Sequence, residues 1–206
     1  MSIPFEFLCS VINLAAQAQN YYHSLYDYMS LIAGGSMIVE IGVWQGLSTV
    51  TMGAAIKGTK SHIIAIDPIF ILGTYADPSV NQVYYSSFAK VQENISALGL
   101  DGYISFIPDH SENVLKRWDG RVIDFLYVDG DHSVEAVRRD CEWMQHVRPG
   151  GYAAFDDWQS APGPSIAVSE FLQSHFEWHL IHVNGDPPKY EIVPHITWDV
   201  TILQKD

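Results

Sequence analysis

The chain has 206 residues, 48% of them hydrophobic and 17% charged, with a formal net charge of −13. That length suits one sizeable core rather than two domains, and no run approaches the ~20 consecutive apolar residues of a membrane helix. With 11 Lys and Arg against 24 Asp and Glu, the chain repels phosphate backbones, so nucleic acid is not an expected partner.

The first residues, MSIPFEF, show no basic stretch ahead of an apolar run, so no secretory signal is expected and a cytoplasmic address follows. Cys9 and Cys141 are too few for a disulfide framework and lack metal-type spacing, so both read as small packed hydrophobes. Arg138 and Arg139 read as solvated residues on a helix. Residues 1–35 read as an N-terminal helical cap carrying Tyr21, Tyr22, Tyr26 and Tyr28, and 36–206 as the catalytic core of the same single domain.

Short apolar runs bounded by turn chemistry then alternate with helical patterns. Strands are expected at 37–41, 62–66, 103–107, 123–128 and 152–155. Helices are expected at 47–57, 80–98, 111–118 and 134–147. Asp109, three residues before Glu112, suggests a capping box. Residues 69–79 form a long connection suited to a lid. Two further strands, 178–183 and 197–203, suggest an antiparallel hairpin on the sheet edge. Strand alternating with helix means a Rossmann-like, doubly wound α/β fold: a seven-stranded, mostly parallel sheet with helices on both faces and a C-terminal antiparallel hairpin.

In such a sheet ligands bind beyond the carboxyl ends of the strands. Those ends carry Glu40, Asp67, Asp109, Asp129, Asp156 and Asp157. Carboxylates at a buried edge need partners, and ribose hydroxyls, an ammonium group or a divalent cation would serve. In the segment Glu40-Ile41-Gly42-Val43-Trp44-Gln45-Gly46-Leu47-Ser48, Gly42 permits a tight turn and Gly46 a close approach of helix and ligand. The segment lacks the G-x-G-x-x-G dinucleotide pattern, and a pyrophosphate would be repelled by Glu40 where a cation would be attracted. Asp67 can accept both hydroxyls of a ribose. Ser111 can face an adenine edge or cap a helix.

Residues 37–158 resemble the class I S-adenosylmethionine (SAM) methyltransferases. The segments V-E-I-G-x-x-x-G-x-S-T and I-A-I-D-P look like that superfamily's first two motifs. Asp124 to Ser133, then Val147-Arg148-Pro149-Gly150-Gly151 and Phe155-Asp156-Asp157-Trp158, are similar to the macrocin- and mycinamicin-type O-methyltransferases and cephalosporin-hydroxylase-like proteins. The catechol and caffeoyl-CoA O-methyltransferases are more distant relatives.

The resemblance implies an enzyme of the EC 2.1.1 class that methylates a hydroxyl of a sugar or other small natural product. It implies that Glu40, Gly42, Trp44, Gly46 and Ser48 surround the methionine part of SAM, with Asp67 at the ribose, Ser111 near the adenine and Asp129 beside the cofactor. It places Asp129, Asp156 and Asp157 as ligands of Mg²⁺ or another divalent cation. Asp129 and His132 are the catalytic pair, His132 as base where catechol-type relatives carry lysine. Asp157 stands where those relatives carry asparagine, which leaves open whether all three carboxylates ligate. Asp131 can orient His132 or cap the following helix, and His110 can line the pocket or lie on the surface.

A hard cation suits carboxylate oxygens, and His132 suits proton removal near neutral pH. The competing readings are a methyltransferase-fold protein that binds SAM or a partner chain without catalysis, and an NAD-linked oxidoreductase. A homodimer is the base-rate expectation for assembly.

Overall fold

The computed structural model describes residues 1–12, 16–32, 34–68, 74–77, 82–85, 88–183 and 200–206, of which 16–21, 74–77, 82–85 and 182–183 are described by their backbone alone. Two N-terminal helices, α1 (Phe5–Ile12) and α2 (Ala16–Ile32), precede the alternating part. There β1 (Met37–Ile41), α3 (Leu47–Ile56) and β2 (His62–Ile66) are followed by a small hairpin, β3 (Thr74–Asp77) and β4 (Gln82–Tyr85). Next come α4 (Phe88–Ala97), β5 (Ile104–Ile107), α5 (Ser111–Lys116), β6 (Ile123–Val128), α6 (Val134–Cys141) and a 3₁₀ turn (Glu142–His146). The chain ends in β7 (Val147–Asp156), α7 (Pro162–Leu172), β8 (Trp178–Val183) and β9 (Val200–Lys205).

The seven-stranded sheet has the order β5-β2-β1-β6-β7-β9-β8. Its first five strands are parallel, and β9 lies antiparallel between β7 and β8. This is the Rossmann-like arrangement expected from the sequence, hairpin included. Because side chains alternate across a strand, consecutive residues feed two cores. Ile38, Ile63, Phe125, Tyr127 and Ile202 point to the face covered by α1 to α4. Val39, Ile64, Leu126, Val128, Phe155 and Leu203 point to the face covered by α5, α6 and α7. Both faces are buried, which is why the strands read as near-continuous apolar runs. Leu8, Leu25 and Met29 of the N-terminal helices are fully buried in the first core, so the cap segment is continuous with the body. Among the described residues no helix is long and apolar enough to cross a membrane.

Several elements differ from expectation. Residues 82–85, assigned to the start of a helix 80–98, form β4 paired with β3, and helix begins only at Phe88. The stretch Gln82-Val83-Tyr84-Tyr85 is aromatic and β-branched, which favours a pleated ribbon. The helix expected over 134–147 stops at Cys141 and tightens into the 3₁₀ turn, and Val147 already pairs with Ile123 in the sheet. β7 is therefore longer than the expected 152–155, with a register shift where Pro149-Gly150-Gly151 passes. No capping box forms at Asp109: His110 is the cap residue of α5, and Asp109 accepts hydrogen bonds from the His110 N–H, Asn113 and Arg117. Those donors, Asn113 first and Arg117 next, pull its carboxyl down to about 2. Of the expected lid, 74–77 lies in the hairpin and the rest falls outside the described residues, as do 197–199 of the last strand.

Candidate functional site

Strand order reverses between β1 and β6, and the chain exits of these two strands abut there. The Asp129 N–H donates to the Ile41 carbonyl (2.8 Å), prolonging the ladder past both strands. A Cβ on Gly42 would stand 2.0 Å from the Asp129 carbonyl oxygen, and Gly42 has φ +86°, so only glycine fits the turn. Beyond it, the Val43 and Trp44 N–H groups both donate to Oδ2 of Asp67 (2.6 and 2.9 Å). Asp67 thus holds the loop after β1 from the end of β2, while Trp44 takes a left-handed φ of 46°. A non-glycine residue in that region signals strain held by its surroundings.

These exits open into a cavity of about 740 Å³. Its wall includes Gly42, Trp44, Asp67, Ser111 and Asp129, five of the residues the sequence nominated for the cofactor. Glu40, Gly46 and Ser48 are buried but are not part of the wall. Glu40 is fully buried, and its two carboxyl oxygens accept hydrogen bonds from Ser48 Oγ and Thr49 Oγ1, each 2.6 Å. Burial pushes the Glu40 carboxyl up to about 8; the two hydroxyls oppose that shift, and the nearby charges of Asp129 and Asp67 add to it. Gly46, at φ +74°, begins α3 and lies against Val91 of α4.

The opposite wall holds the residues the sequence nominated for acid–base chemistry. His132 sits between two carboxylates, its Nε2 3.4 Å from Asp129 Oδ1 and its Nδ1 3.5 Å from Asp157 Oδ2. Asp157 reaches it from a left-handed backbone conformation with φ 52°. Asp156 also interacts with Asp129 and draws its carboxyl down. Partial burial raises the Asp129 carboxyl, against the pull of His132. Asp129, Asp156 and Asp157 therefore share one corner of the cavity, with His132 lying between Asp129 and Asp157. Among the described residues no three such side chains stand ready-made as a metal cluster. Asp131 Oδ1 accepts from the Ser133 N–H (2.8 Å), and Ser133 in turn caps α6, so Asp131 braces the helix start.

The other sequence-level candidates separate clearly. Tyr22 of α2 reaches the cavity wall, and burial together with the charges of Asp129, Asp156 and Glu40 raises its phenol. Tyr28 is core, against Phe125 and Tyr152, and Tyr26 donates to the Ile3 carbonyl. Trp158 packs on the second core. The side chains of Tyr21, Tyr84 and Tyr85 lie outside the described residues. His110 is exposed yet borders the cavity. Cys141 is buried, with its thiol pushed up to about 12 by burial, and Cys9 is half-buried; both are free thiols.

Sequence reasoning missed Asp140 and Arg139, which both line the cavity. Asp140 is 4% exposed and accepts a 2.5 Å hydrogen bond from Ser111 Oγ, while Arg139 pairs with Glu112 (3.0 Å). The available signal was an acid three residues after Val137, in register with the buried stripe of α6.

Comparison with known proteins bears on the family and the fold. A protein of Acanthamoeba polyphaga mimivirus is 32% identical over 124 residues, 59% of this chain and 51% of that protein. The chain thus matches about half the length of that relative. An O-methyltransferase from Bacillus cereus, solved in complex with S-adenosylhomocysteine (SAH), superposes with TM-score 0.58 at 16% identity, covering 97% of this chain and 88% of that one. The SAH-bound Podospora anserina methyltransferase gives 0.62 at 15% identity, covering 100% and 90%. At these identities the two structures establish a shared fold. The model of the family described as "Methyltransferase domain" matches residues 39–158, from β1 through the Asp156–Asp157 exit of β7, and the chain belongs to that family.

Proposed function

We propose that the protein is a SAM-dependent O-methyltransferase acting on a hydroxyl of a small molecule, of the macrocin- and mycinamicin-type branch. The observation that carries this reading is one acid-lined cavity at the topological switch point, with Asp67 on one side and the Asp129–His132–Asp157 arrangement on the other. The volume suits a cofactor-sized ligand plus part of an acceptor. The lining suits a cationic sulfonium rather than a phosphate. The SAM and SAH named with its structural neighbours supply the ligand class.

Asp67 would take the ribose hydroxyls with the face of its carboxylate turned away from the loop. Glu40, behind the wall, is best ionised when a positive ligand stands nearby, so cofactor binding and Glu40 ionisation favour each other. His132 would accept the acceptor hydroxyl's proton while Asp129 and Asp157 stabilise the imidazolium that results. Removing that proton would turn a weak hydroxyl nucleophile into a competent one, and the cavity walls would limit how it meets the methyl group.

Three carboxylates in one corner, with burial already raising Asp129, would be eased by a proton or a cation held there. Their all-oxygen chemistry fits Mg²⁺ or a similar divalent ion, which Asp129 and Asp156 would hold with Asp157 at hand. When bound, such an ion would lower the pKa of the acceptor hydroxyl.

The test is transfer of a labelled methyl group from SAM to a panel of sugar and phenolic hydroxyl acceptors, with Mg²⁺ and with EDTA. Labelled product that disappears with EDTA supports both parts. Full turnover in EDTA removes the metal, and tight SAM binding with no product on any acceptor favours a non-catalytic binder.

A further inference from the structure

The end of the cavity between α5 and α6 carries a polar pair that the proposed chemistry does not use. Asp140 is almost completely buried on α6 yet borders the cavity, and the Ser111 hydroxyl at the start of α5 donates to its Oδ1 at 2.5 Å. The same two helices are tied a second time by Arg139 and Glu112. The charged groups around Asp140 are Arg139 on its own helix, Asp131 from the loop after β6 and Glu112 from α5. Burial pushes its carboxyl up to about 7, Ser111 and Arg139 pull it down, and Asp131 and Glu112 push it up, so at pH 8 it is mostly ionised.

A hydroxyl has one proton, and here that proton is committed to Asp140. What Ser111 then shows the cavity is a lone pair. With an ionised carboxylate holding that proton, any group that meets the Ser111 oxygen must itself bring a donor. An adenine attached to ribose has only one N–H donor group, its exocyclic amino group. Its deaminated counterpart presents a carbonyl oxygen there, lone pair against lone pair.

We propose that Asp140 is a positioning residue that makes Ser111 an obligate acceptor, so that this end of the cavity selects a base carrying an exocyclic amino group. The inference rests on the nucleoside-cofactor reading above. It assigns base selection to a buried side chain that acts through Ser111.

The test is calorimetric titration of the full chain at pH 8 with SAH and with its deaminated analogue, S-inosylhomocysteine. The wild type is expected to prefer SAH by about tenfold or more, the scale set by leaving a buried acceptor unmatched. In Asp140→Asn the amide can donate to Ser111 and free its proton to meet a carbonyl, so the preference should fall below about threefold. Ser111→Ala should lose the preference likewise, which keeps the test open if the Asp140 variant does not fold. A purely structural Asp140 would weaken both ligands equally and leave the ratio intact. An unchanged ratio in the folded variants, or no preference in the wild type, overturns the inference while leaving the methyltransferase reading standing. No binding of SAH by the wild type overturns both.

Discussion

At the scale of single residues, the acids at the strand exits were legible because a buried parallel strand announces its own end. Asp67 and Asp129 follow apolar runs and precede turn residues, and both line the cavity. Their partners were not legible. Asp157 meets His132 from a different strand exit, and Ser111 meets Asp140 across 29 residues of sequence. Contacts of that kind depend on how strands order themselves, which no local spacing reports. Glu40 offers a prediction at this scale. A carboxyl whose folded value stands near 8 against an ordinary 4.5 holds its proton better folded than unfolded. Its contribution to stability is therefore full below about pH 4.5 and declines as pH rises to about 8. Glu40→Gln keeps a partner for Ser48 and Thr49 and has nothing to ionise. The variant should hold its melting temperature better than the wild type between pH 5 and 8.5, by up to about 4 kcal/mol in stability. Parallel pH profiles of the two proteins in thermal melts would show that Glu40 is not the group responsible.

At the scale of elements, periodicity located β1, β2, β6 and β8 at their observed bounds, since runs buried on both faces leave little ambiguity. It failed at 82–85 and 147–151. In the first, a helical stop signal at Gly99 was extended backwards through residues whose side chains prefer a ribbon. In the second, a Pro-Gly-Gly stretch that normally ends an element is carried inside β7 by a register shift. The packing of α7 yields a prediction of its own. A Cβ on Gly163 would lie 2.1 Å from the His132 carbonyl oxygen, so the helix start rests directly on the loop that aims the imidazole. Gly163→Ala must push backbone, costing about 1–3 kcal/mol in denaturant unfolding. Methyl transfer should fall at least about tenfold, because His132 moves, while SAH affinity changes less than threefold. Equal losses in transfer and SAH binding would mean that α7 supports the whole cavity and not the His132 loop in particular.

At the scale of the whole molecule, the sequence made the layered α/β architecture readable and gave residues 1–35 as a helical cap segment of the same domain. Read as a cap, residues 1–35 nonetheless bury Leu8, Leu25, Tyr28 and Met29 in the core formed with β1 and α3. They also bring Tyr22 to the cavity. Removing residues 1–35 should therefore abolish cooperative unfolding and expose apolar surface to a dye probe; a truncated chain that melts cooperatively near the wild-type temperature would show that the rest folds without them. The net charge of −13 and the acidic cavity favour a cationic ligand at this scale too.

The account stands most directly on cofactor binding, so the decisive measurement is calorimetric titration of the full chain with SAM, with Mg²⁺ and again with EDTA, alongside Asp67→Ala. Saturable one-to-one binding in both conditions, weakened by about tenfold or more in the variant, is the predicted result. Absence of saturable binding by the wild type in either condition would contradict it, leaving a methyltransferase fold whose cavity serves another ligand.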